Sequence, residues 1–169
     1  MRPTVTQLRA AFAYDPETGL FRWKQHRTRR FVGQLAGCLV KVGYISLSLK
    51  NRKIRAHVAA WAIYYGRYPQ FDLDHWDLNK ANNRIKNLRR ADKSKNGANR
   101  PPLVTNTSGF KGVFWHAGAQ KWMAQIRLSN RSHYLGIFVD PEDAAKAYDT
   151  RAIEHFGAFA RTNKQLGLI

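Results

Sequence analysis

A run of turn-forming residues near the middle of the chain most limits how this sequence can fold. Residues 100–109 read Arg-Pro-Pro-Leu-Val-Thr-Asn-Thr-Ser-Gly, and proline, serine and glycine at this density interrupt both helices and strands. Regular hydrophobic patterns occur on both sides of the run. A chain of 169 residues is long enough for one domain or two small ones. The sequence therefore predicts two domains, residues 1–100 and 108–169, joined by a linker over residues 101–107.

The charge of the chain points to a polyanionic partner. The formal net charge is +18, and self-repulsion on this scale is tolerated when a polyanion neutralises it. Residues 1–100 hold 21 lysines and arginines against 6 acids, and residues 101–169 hold 8 against 5. In the second part, residues 101–139 contain no acid, and all five acids fall between 140 and 154. This segregation predicts one face turned toward nucleic acid and one turned away.

Other compositional features exclude several classes of protein. The longest apolar run, Ala-His-Val-Ala-Ala-Trp-Ala-Ile-Tyr-Tyr-Gly, is well short of the roughly 20 residues that cross a bilayer, and the N-terminus does not resemble a signal peptide. Cys38 is the single cysteine, so neither a disulfide framework nor a cysteine-based zinc site is expected. These features predict a cytoplasmic protein with no membrane association and no small-molecule cofactor.

Local patterns predict the elements of the first domain. Between residues 43 and 50, Ile45, Leu47 and Leu49 alternate with polar residues as in a half-buried strand. The other elements, in chain order, are a short helix over 8–13, a hairpin turn over 14–20, a turn at 51–53 into another strand, and a helix over 58–65 that Gly66 ends. The last elements predicted are the Asp74-His75 segment, an asparagine-rich loop, a second strand and a helix that starts near Asp92 or Ser94.

Four polar residues in this last part of the first domain have a specific spacing. Asp74 and His75 are adjacent, and Asn87 and Asn96 follow 12 and 21 residues after the histidine. This arrangement resembles the active site of the HNH (ββα-metal) endonucleases, and the asparagine at position 96 resembles their phage- and intron-encoded homing branch. The resemblance implies that His75 is the general base, that Asp74 and Asn96 bind the metal, and that Asn87 orients His75. Asn83 is the alternative to Asn87 for that role.

The resemblance also implies a catalytic ion. A carboxylate and an amide supply only oxygen ligands, a set that suits Mg²⁺ or Mn²⁺ and disfavours zinc. We therefore expect one divalent ion per active site, which stabilises the charge of the cleaved phosphodiester. Because each chain carries one such motif, a monomer is expected to nick DNA and a homodimer to cut both strands.

The second domain resembles the DNA-binding domain of the ethylene-response-factor (Apetala-two) family. The resemblance rests on Gly109–Val113, Lys121–Ile126, Tyr134–Phe138 and Glu142–Asp149. It implies a three-stranded antiparallel sheet in the DNA major groove, with one helix packed behind. The strands are predicted over 112–115, 122–128 and 132–138. Asp140 and Pro141 then start a helix that presents Ala144, Ala145, Tyr148, Ala152 and Ile153 on one face.

Candidate DNA contacts are basic, aromatic or amide side chains in both domains. Lys111 and Phe114 stand where the Apetala-two family commonly has arginines, which puts the sequence preference in doubt. The predicted contacts are Arg22, Lys24, Arg27, Arg29, Arg30 and Arg84 in the first domain, and Lys111, Trp115, Lys121, Gln125, Arg127 and Arg131 in the second.

Taken together, the sequence predicts an α+β protein with an N-terminal HNH nuclease domain and a small C-terminal domain of three antiparallel strands on one helix. The expected function is site-specific, metal-dependent cleavage of double-stranded DNA, of homing or phage type, in the host cytoplasm if phage-encoded. Residues 1–100 are expected to form a soluble nuclease domain after deletion of residues 101–169. The alternatives are a non-catalytic DNA-binding regulator with a degenerate nuclease domain, and an RNA-binding protein.

Overall fold

The computed structural model describes residues 2–26 and 30–169 and forms two compact units. The N-terminal unit is Met1–Ala91 and the C-terminal unit is Asp92–Ile169. The division therefore falls before the helix at residues 93–98, whereas the sequence places it at the proline-rich run that follows. Both units mix helices with antiparallel sheet, as expected for an α+β protein.

The N-terminal unit begins with a helix and a hairpin. Helix α1 (Val5–Ala11) starts at a capping box in which Thr4 and Gln7 exchange hydrogen bonds. It ends two residues earlier than predicted, because Phe12 opens strand β1 (Phe12–Tyr14), which pairs with β2 (Phe21–Trp23). The rings of β1 and β2 pack together, with 4.6 Å between the centroids of Phe12 and Trp23.

A three-stranded antiparallel sheet follows, in the order β3 (Cys38–Leu39), β4 (Ile45–Leu49) and β5 (Arg52–Arg55). As the alternation predicts, Leu47 and Leu49 are buried. The turn lies at Lys50 and Asn51, one residue earlier than predicted. Both residues have positive φ, the conformation that two-residue hairpin turns require.

Helix α2 (Ala56–Tyr65) buries its alanines against this sheet and ends at Gly66 in the left-handed conformation, where the sequence places the stop. Strand β6 (Asp72–His75) then pairs antiparallel with β7 (Leu88–Ala91). A short 3₁₀ turn at Ile85–Asn87 closes the loop between them. The hydrophobic core of the unit includes Leu8, Phe12, Phe21, Trp23, Leu47, Leu49, Ile54 and Leu88.

The C-terminal unit begins with helix α3 (Lys93–Ala98), whose N-terminus Asp92 caps. Strands β8 (Val113–His116), β9 (Lys121–Leu128) and β10 (Arg131–Phe138) form one antiparallel sheet in the order β10-β9-β8. Helix α4 (Pro141–Phe156) begins at the capping residue Asp140, as predicted, and packs on one face of the sheet.

One predicted core residue of α4 is on the surface. Ala144, Ala145, Tyr148 and Ala152 are buried, but Ile153 is 56% exposed. Asp149, one turn after Ala145, is buried instead. Its carboxylate accepts hydrogen bonds from the backbone N–H groups of Asn163 and Lys164. Within residues 2–26 and 30–169, no helix is long and apolar enough to cross a membrane.

Candidate active site

The Asp74-His75 pair lies at the end of β6, in the hairpin that β6 forms with β7. The register places Asp74 opposite Arg89 and His75 opposite Leu88. Both side chains are buried, at 8% and 5% exposure. Because successive residues of a strand face opposite sides, the carboxylate and the imidazole have different neighbours.

The carboxylate of Asp74 is held by an arginine. Arg89 Nε donates to Asp74 Oδ2 over 2.8 Å, and both side chains are largely shielded from water. A buried carboxylate is costly unless a positive group compensates it, and Arg89 is the compensating group at this position. Sequence reasoning missed Arg89, although the hairpin register between β6 and β7 would have identified it as the cross-strand neighbour.

His75 is enclosed by two other rings. Its ring centroid lies 5.0 Å from that of His57, nearly perpendicular to it, and 5.9 Å from that of Tyr44. Burial lowers the pKa of His75, while a hydrogen bond with the Asn83 side chain and the charges of Asp77 and Asp74 oppose that shift. Since the net pKa shift is downward, the imidazole is unprotonated at neutral pH and can accept a proton.

The neighbouring histidine is also neutral. Burial, with smaller contributions from the nearby His75 and Arg55, lowers the pKa of His57 to about 3. His57 therefore packs against His75 without adding a positive charge. It is the second residue of α2, and from the sequence a structural or backbone-contacting role is expected for it.

The asparagine-rich loop between β6 and β7 is held by its own side chains. Asn87 Nδ2 donates to Asp77 Oδ1 and to the Asn82 carbonyl, each over 2.9 Å, and Asn87 Oδ1 accepts from the Asp77 backbone over 3.1 Å. Both N–H donors of Asn87 are thus used within the loop. Burial raises the pKa of Asp77, but hydrogen bonds from Asn82 and Asn87 outweigh it and leave the pKa lowered.

Asn83 is the most buried asparagine of this loop, at 2% exposure. Its Nδ2 donates to the Ala81 carbonyl over 2.9 Å, and the backbone carbonyl of Asn83 accepts from the Tyr14 hydroxyl over 2.8 Å. The backbone of Gly19 lies so close to Asn83 that a Cβ there would clash with it. These contacts hold the backbone and the amide nitrogen of Asn83, the residue whose side chain opposes the pKa shift of His75.

Two positively charged side chains lie near His75, on the ring of Tyr44. Arg55 and Lys80 lie over the ring of Tyr44, at 4.3 and 5.2 Å from its centroid, and Tyr44 in turn contacts His75. Lys80 Nζ also donates to the Val42 carbonyl over 3.2 Å. These two cations near His75 suit contact with a phosphodiester.

The predicted site residues divide between the two units. Asp74, His75 and Asn87 come together in the β6–β7 hairpin and its loop, within the N-terminal unit. Asn96 lies half-buried on α3, in the C-terminal unit.

Among the described residues no cluster of three or more histidine, cysteine, aspartate or glutamate side chains could hold a metal ion. The two predicted metal ligands, Asp74 and Asn96, offer a carboxylate and an amide oxygen, and oxygen donors are the kind that Mg²⁺ and Mn²⁺ prefer.

The predicted DNA contacts of the N-terminal unit have mixed surroundings. Arg22 donates to the Gly33 carbonyl over 2.8 Å and Lys24 to the Arg9 carbonyl over 3.2 Å, and both side chains are exposed. Arg30 lies over the ring of Trp23 at 4.6 Å, and Arg84 is exposed. Two further predicted contacts, Arg27 and Arg29, lie outside the described residues.

Lys111, predicted as a DNA contact, is buried at 9% exposure. Its Nζ donates to the carbonyl oxygens of Ala98 and Arg161, and burial lowers its pKa to about 8. An ammonium group used in this way does not reach a phosphate, so the prediction for Lys111 is wrong. The sequence pattern had no means of detecting this, because Ala98 and Arg161 are distant in the chain.

The five other predicted contacts of this unit fall on two faces of the sheet. Lys121, Gln125 and Arg127 alternate with buried residues of β9 and share the face away from α4. Trp115 pairs with Trp122, and Arg131 with Leu128. Since directly paired residues share a face, these two lie on the side of α4. The open face also carries Phe114, His116, Met123, Ser132 and Tyr134, which the sequence analysis did not select.

Comparison with known families and proteins agrees with this geometry. Residues 55–98 match the family model described as HNH endonuclease. The match begins at the last residue of β5 and ends at the last residue of α3. It therefore includes all four residues that the sequence analysis assigns to the nuclease site.

Two viral proteins and a plant regulator are similar to the chain. Protein 3.8 of Escherichia phage T7 is 32% identical over 108 residues, which cover 63% of this chain and 88% of the phage protein. An uncharacterized HNH endonuclease of Acanthamoeba polyphaga mimivirus is 31% identical over 128 residues, 75% of this chain and 65% of that protein. An ethylene-responsive transcription factor of Arabidopsis thaliana is 43% identical over 58 residues, a third of this chain (33%) but only 14% of the plant protein.

Proposed function

The chain belongs to the HNH endonuclease family, and from that premise we propose that it is a metal-dependent endonuclease of double-stranded DNA with His75 as the general base. The observation that carries the proposal is the surrounding of His75. It is a buried, neutral imidazole whose neighbour Tyr44 is contacted by Arg55 and Lys80. This combination provides a proton acceptor with cationic side chains for a phosphodiester close to it.

In the proposed mechanism His75 accepts the proton of the attacking water. A base works near neutral pH only when it is unprotonated there, and the lowered pKa of His75 meets that requirement. Arg55 and Lys80 bind the phosphate and offset its negative charge. His57 and Tyr44 enclose the imidazole and limit its rotation.

The orientation of His75 is assigned to two asparagines with different tasks. The proposal gives Asn83 the direct interaction with His75, because its side chain opposes the downward pKa shift of His75 and its position is held by Tyr14 and Ala81. Asn87 acts one step away by fixing Asp77 and the loop. This refines the sequence-based assignment, in which Asn87 orients the histidine and Asn83 is its alternative.

Asp74 and Asn96 are proposed as the protein ligands of one Mg²⁺ or Mn²⁺ ion, on the basis of their places in the motif. When bound, the ion stabilises the charge that develops on the phosphate and on the leaving oxygen. The Arg89 guanidinium pairs with the Asp74 carboxylate across the hairpin, and carboxylate oxygen is a ligand that a hard cation prefers.

The C-terminal unit is proposed to bind double-stranded DNA in the manner of the Apetala-two domain. The likeness to the plant regulator supports this, and so does the open sheet face with its exposed Lys121 and Arg127. No acidic residue occurs in β8, β9 or β10. Homing or phage-type action, and nicking by a monomer or double-strand cutting by a homodimer, belong to the same proposal.

Cleavage of supercoiled plasmid tests the proposal directly. The wild-type protein is expected to nick the plasmid with Mg²⁺ or Mn²⁺ and to be inactive in EDTA. His75→Ala should reduce cleavage on the order of a hundred-fold or more, the usual contribution of general-base catalysis, while DNA affinity stays nearly unchanged.

The matched control is His155→Ala, which changes an exposed histidine of α4 and should cleave like the wild type. Binding without cleavage under every metal condition would favour the non-catalytic regulator. Cleavage that persists in EDTA would exclude the proposed ion.

A further inference from the structure

The buried lysine of the C-terminal unit has a specific target. Lys111 Nζ donates to the carbonyl oxygens of Ala98 and Arg161, the latter over 3.0 Å. Ala98 is the last residue of α3, and α3 also carries Asn96. The lysine therefore binds the end of the helix that holds one proposed metal ligand.

The carbonyl of Ala98 is a receptive partner. The last carbonyl groups of a helix lack intrahelical donors and carry the negative end of the helix dipole, so a buried ammonium group stabilises them. The Arg161 backbone N–H donates to the same oxygen over 3.2 Å. Two donors from the C-terminal unit thus converge on one carbonyl of α3, which is only six residues long.

The lysine itself is rigidly placed by its backbone. The Lys111 N–H donates to Asn163 Oδ1 over 2.7 Å, and Asn163 Nδ2 donates to the Lys111 carbonyl over 3.2 Å. Asn163 is fully buried and is held by Asp149 of α4 over 2.8 Å. These bonds connect Lys111 to the helix behind the sheet.

The residue after Lys111 adds steric support. Gly112 has φ of +78° and lies against the ring of Tyr148 so closely that a Cβ would overlap it. The same ring faces the Lys111 ammonium group at 5.8 Å, within the range of a cation–π contact. Gly112 therefore allows the backbone to pass close to Tyr148, next to the buried Lys111.

We infer that Lys111 is a positioning residue for Asn96, so that the C-terminal unit sets the geometry of one proposed metal ligand in addition to binding DNA. The inference rests on the proposed function and deepens it. A short helix is marginal without tertiary support, and the bonds from Lys111 and Arg161 supply that support at its C-terminus. The lowered pKa of Lys111, caused by burial, marks the cost of keeping an amine there.

The first test compares metal requirements. Lys111→Met removes the donors and keeps a similar length, and Lys111→Arg keeps the charge in a different geometry. Lys111→Met should raise the Mg²⁺ concentration for half-maximal plasmid cleavage by about 10- to 100-fold, the range for groups that orient metal ligands. Lys111→Arg should restore part of this loss, and DNA affinity in EDTA should not change.

The matched control is Lys146→Met, which alters an exposed lysine of α4 and should leave the metal requirement unchanged. Reduced DNA affinity in EDTA with a normal metal requirement would make Lys111 a DNA contact and overturn the inference. If Lys111→Met does not fold, the comparison rests on Lys111→Arg, whose metal requirement should lie above that of the wild type.

A double-mutant cycle separates positioning from a general structural effect. If Lys111 acts through Asn96, the double variant Lys111→Met/Asn96→Ala should require no more metal than Asn96→Ala alone. Independent, additive losses would overturn the inference.

A second readout does not depend on activity. Backbone amides of α3 should lose protection from hydrogen exchange in Lys111→Met, and unchanged protection would overturn the inference even for an inactive protein. A wild-type protein that cleaves with no metal would instead refute the proposed function, so the two failures are distinguishable.

Discussion

The β6–β7 hairpin and helix α3 carry the proposed catalytic residues, and they are held in contrasting ways. The hairpin is fixed by partners nearby in the chain: Asn87 bonds to Asp77 and Asn82, and Asp74 pairs with Arg89 across the strands. Helix α3 is fixed at its end by Lys111 and Arg161, which lie far along the chain from Ala98. A motif that is continuous in sequence can therefore depend on distant residues for one of its parts.

Deleting residues 101–169 gives the largest expected effect on this comparison. The deletion removes both donors to the Ala98 carbonyl, so we expect plasmid cleavage to fall on the order of a hundred-fold, as for the loss of metal-ligand support. The core around Leu8, Phe12 and Leu47 is internal to the N-terminal unit, so circular dichroism should still show folded structure. Wild-type cleavage by the shortened chain would instead mean that α3 needs no support, as the sequence analysis expects of residues 1–100.

Substituting each of Asn83 and Asn87 by alanine tests how the β6–β7 hairpin is held by nearby residues. Asn83→Ala removes a direct contact with His75 and should lower the cleavage rate at saturating DNA by about 10- to 100-fold. Asn87→Ala removes one hydrogen bond to the Asp77 carboxylate, one from the Asp77 backbone N–H and one to the Asn82 carbonyl, so it should lower the melting temperature more than Asn83→Ala does. The reverse order of effects on rate would return the orienting role to Asn87.

The histidine pair predicts a pH dependence of stability. The folded-state pKa of His57 is about 3 and its ordinary value is 6.5, so the unfolded chain binds more protons than the folded chain between these limits. Its contribution is therefore full above pH 6.5 and is lost as the pH falls toward about 3, with about 1.4 kcal/mol per pKa unit as an upper limit. His57→Phe should flatten the decrease in melting temperature between pH 6.5 and 4.5. An equally steep decrease would mean that other groups cause it.

The smallest expected effect distinguishes the two faces of the C-terminal sheet. Arg127→Ala, on the open face, should weaken DNA binding and reduce the slope of log K against log salt by about 0.9, the value for one phosphate. Arg131→Ala changes a side chain that the register puts on the face of α4, and should leave the slope nearly unchanged. Equal effects from both variants would indicate that the DNA contacts the edge of the sheet.

Residues close in sequence explain most of what could be predicted without the structure. Alternating Leu47 and Leu49, the cap at Asp140 and the stop at Gly66 each depend on a few neighbouring residues, and each lies where the pattern predicts. The register of the β6–β7 hairpin then places Asp74 opposite Arg89 and His75 opposite Leu88. Local propensity and strand alternation were sufficient for these features.

Side-chain roles that depend on distant partners were not predictable in this way. The same lysine type is an exposed residue of the open sheet face at position 121 and a buried hydrogen-bond donor at position 111. In the loop, the motif spacing favours Asn87 over Asn83 for orienting His75, and the closer packing of Asn83 against Tyr14 and Gly19 was not predictable from that spacing.

By itself, the sequence determined the order of helices and strands, the adjacency of Asp74 and His75 on one strand, and the excess of positive charge. Tertiary structure alone decided that Arg89 pairs with Asp74, that Asn83 contacts His75 and that Lys111 turns inward to Ala98. The physical reason is that propensities and periodicities act over a few residues, whereas the burial of a charge depends on which distant groups fold around it.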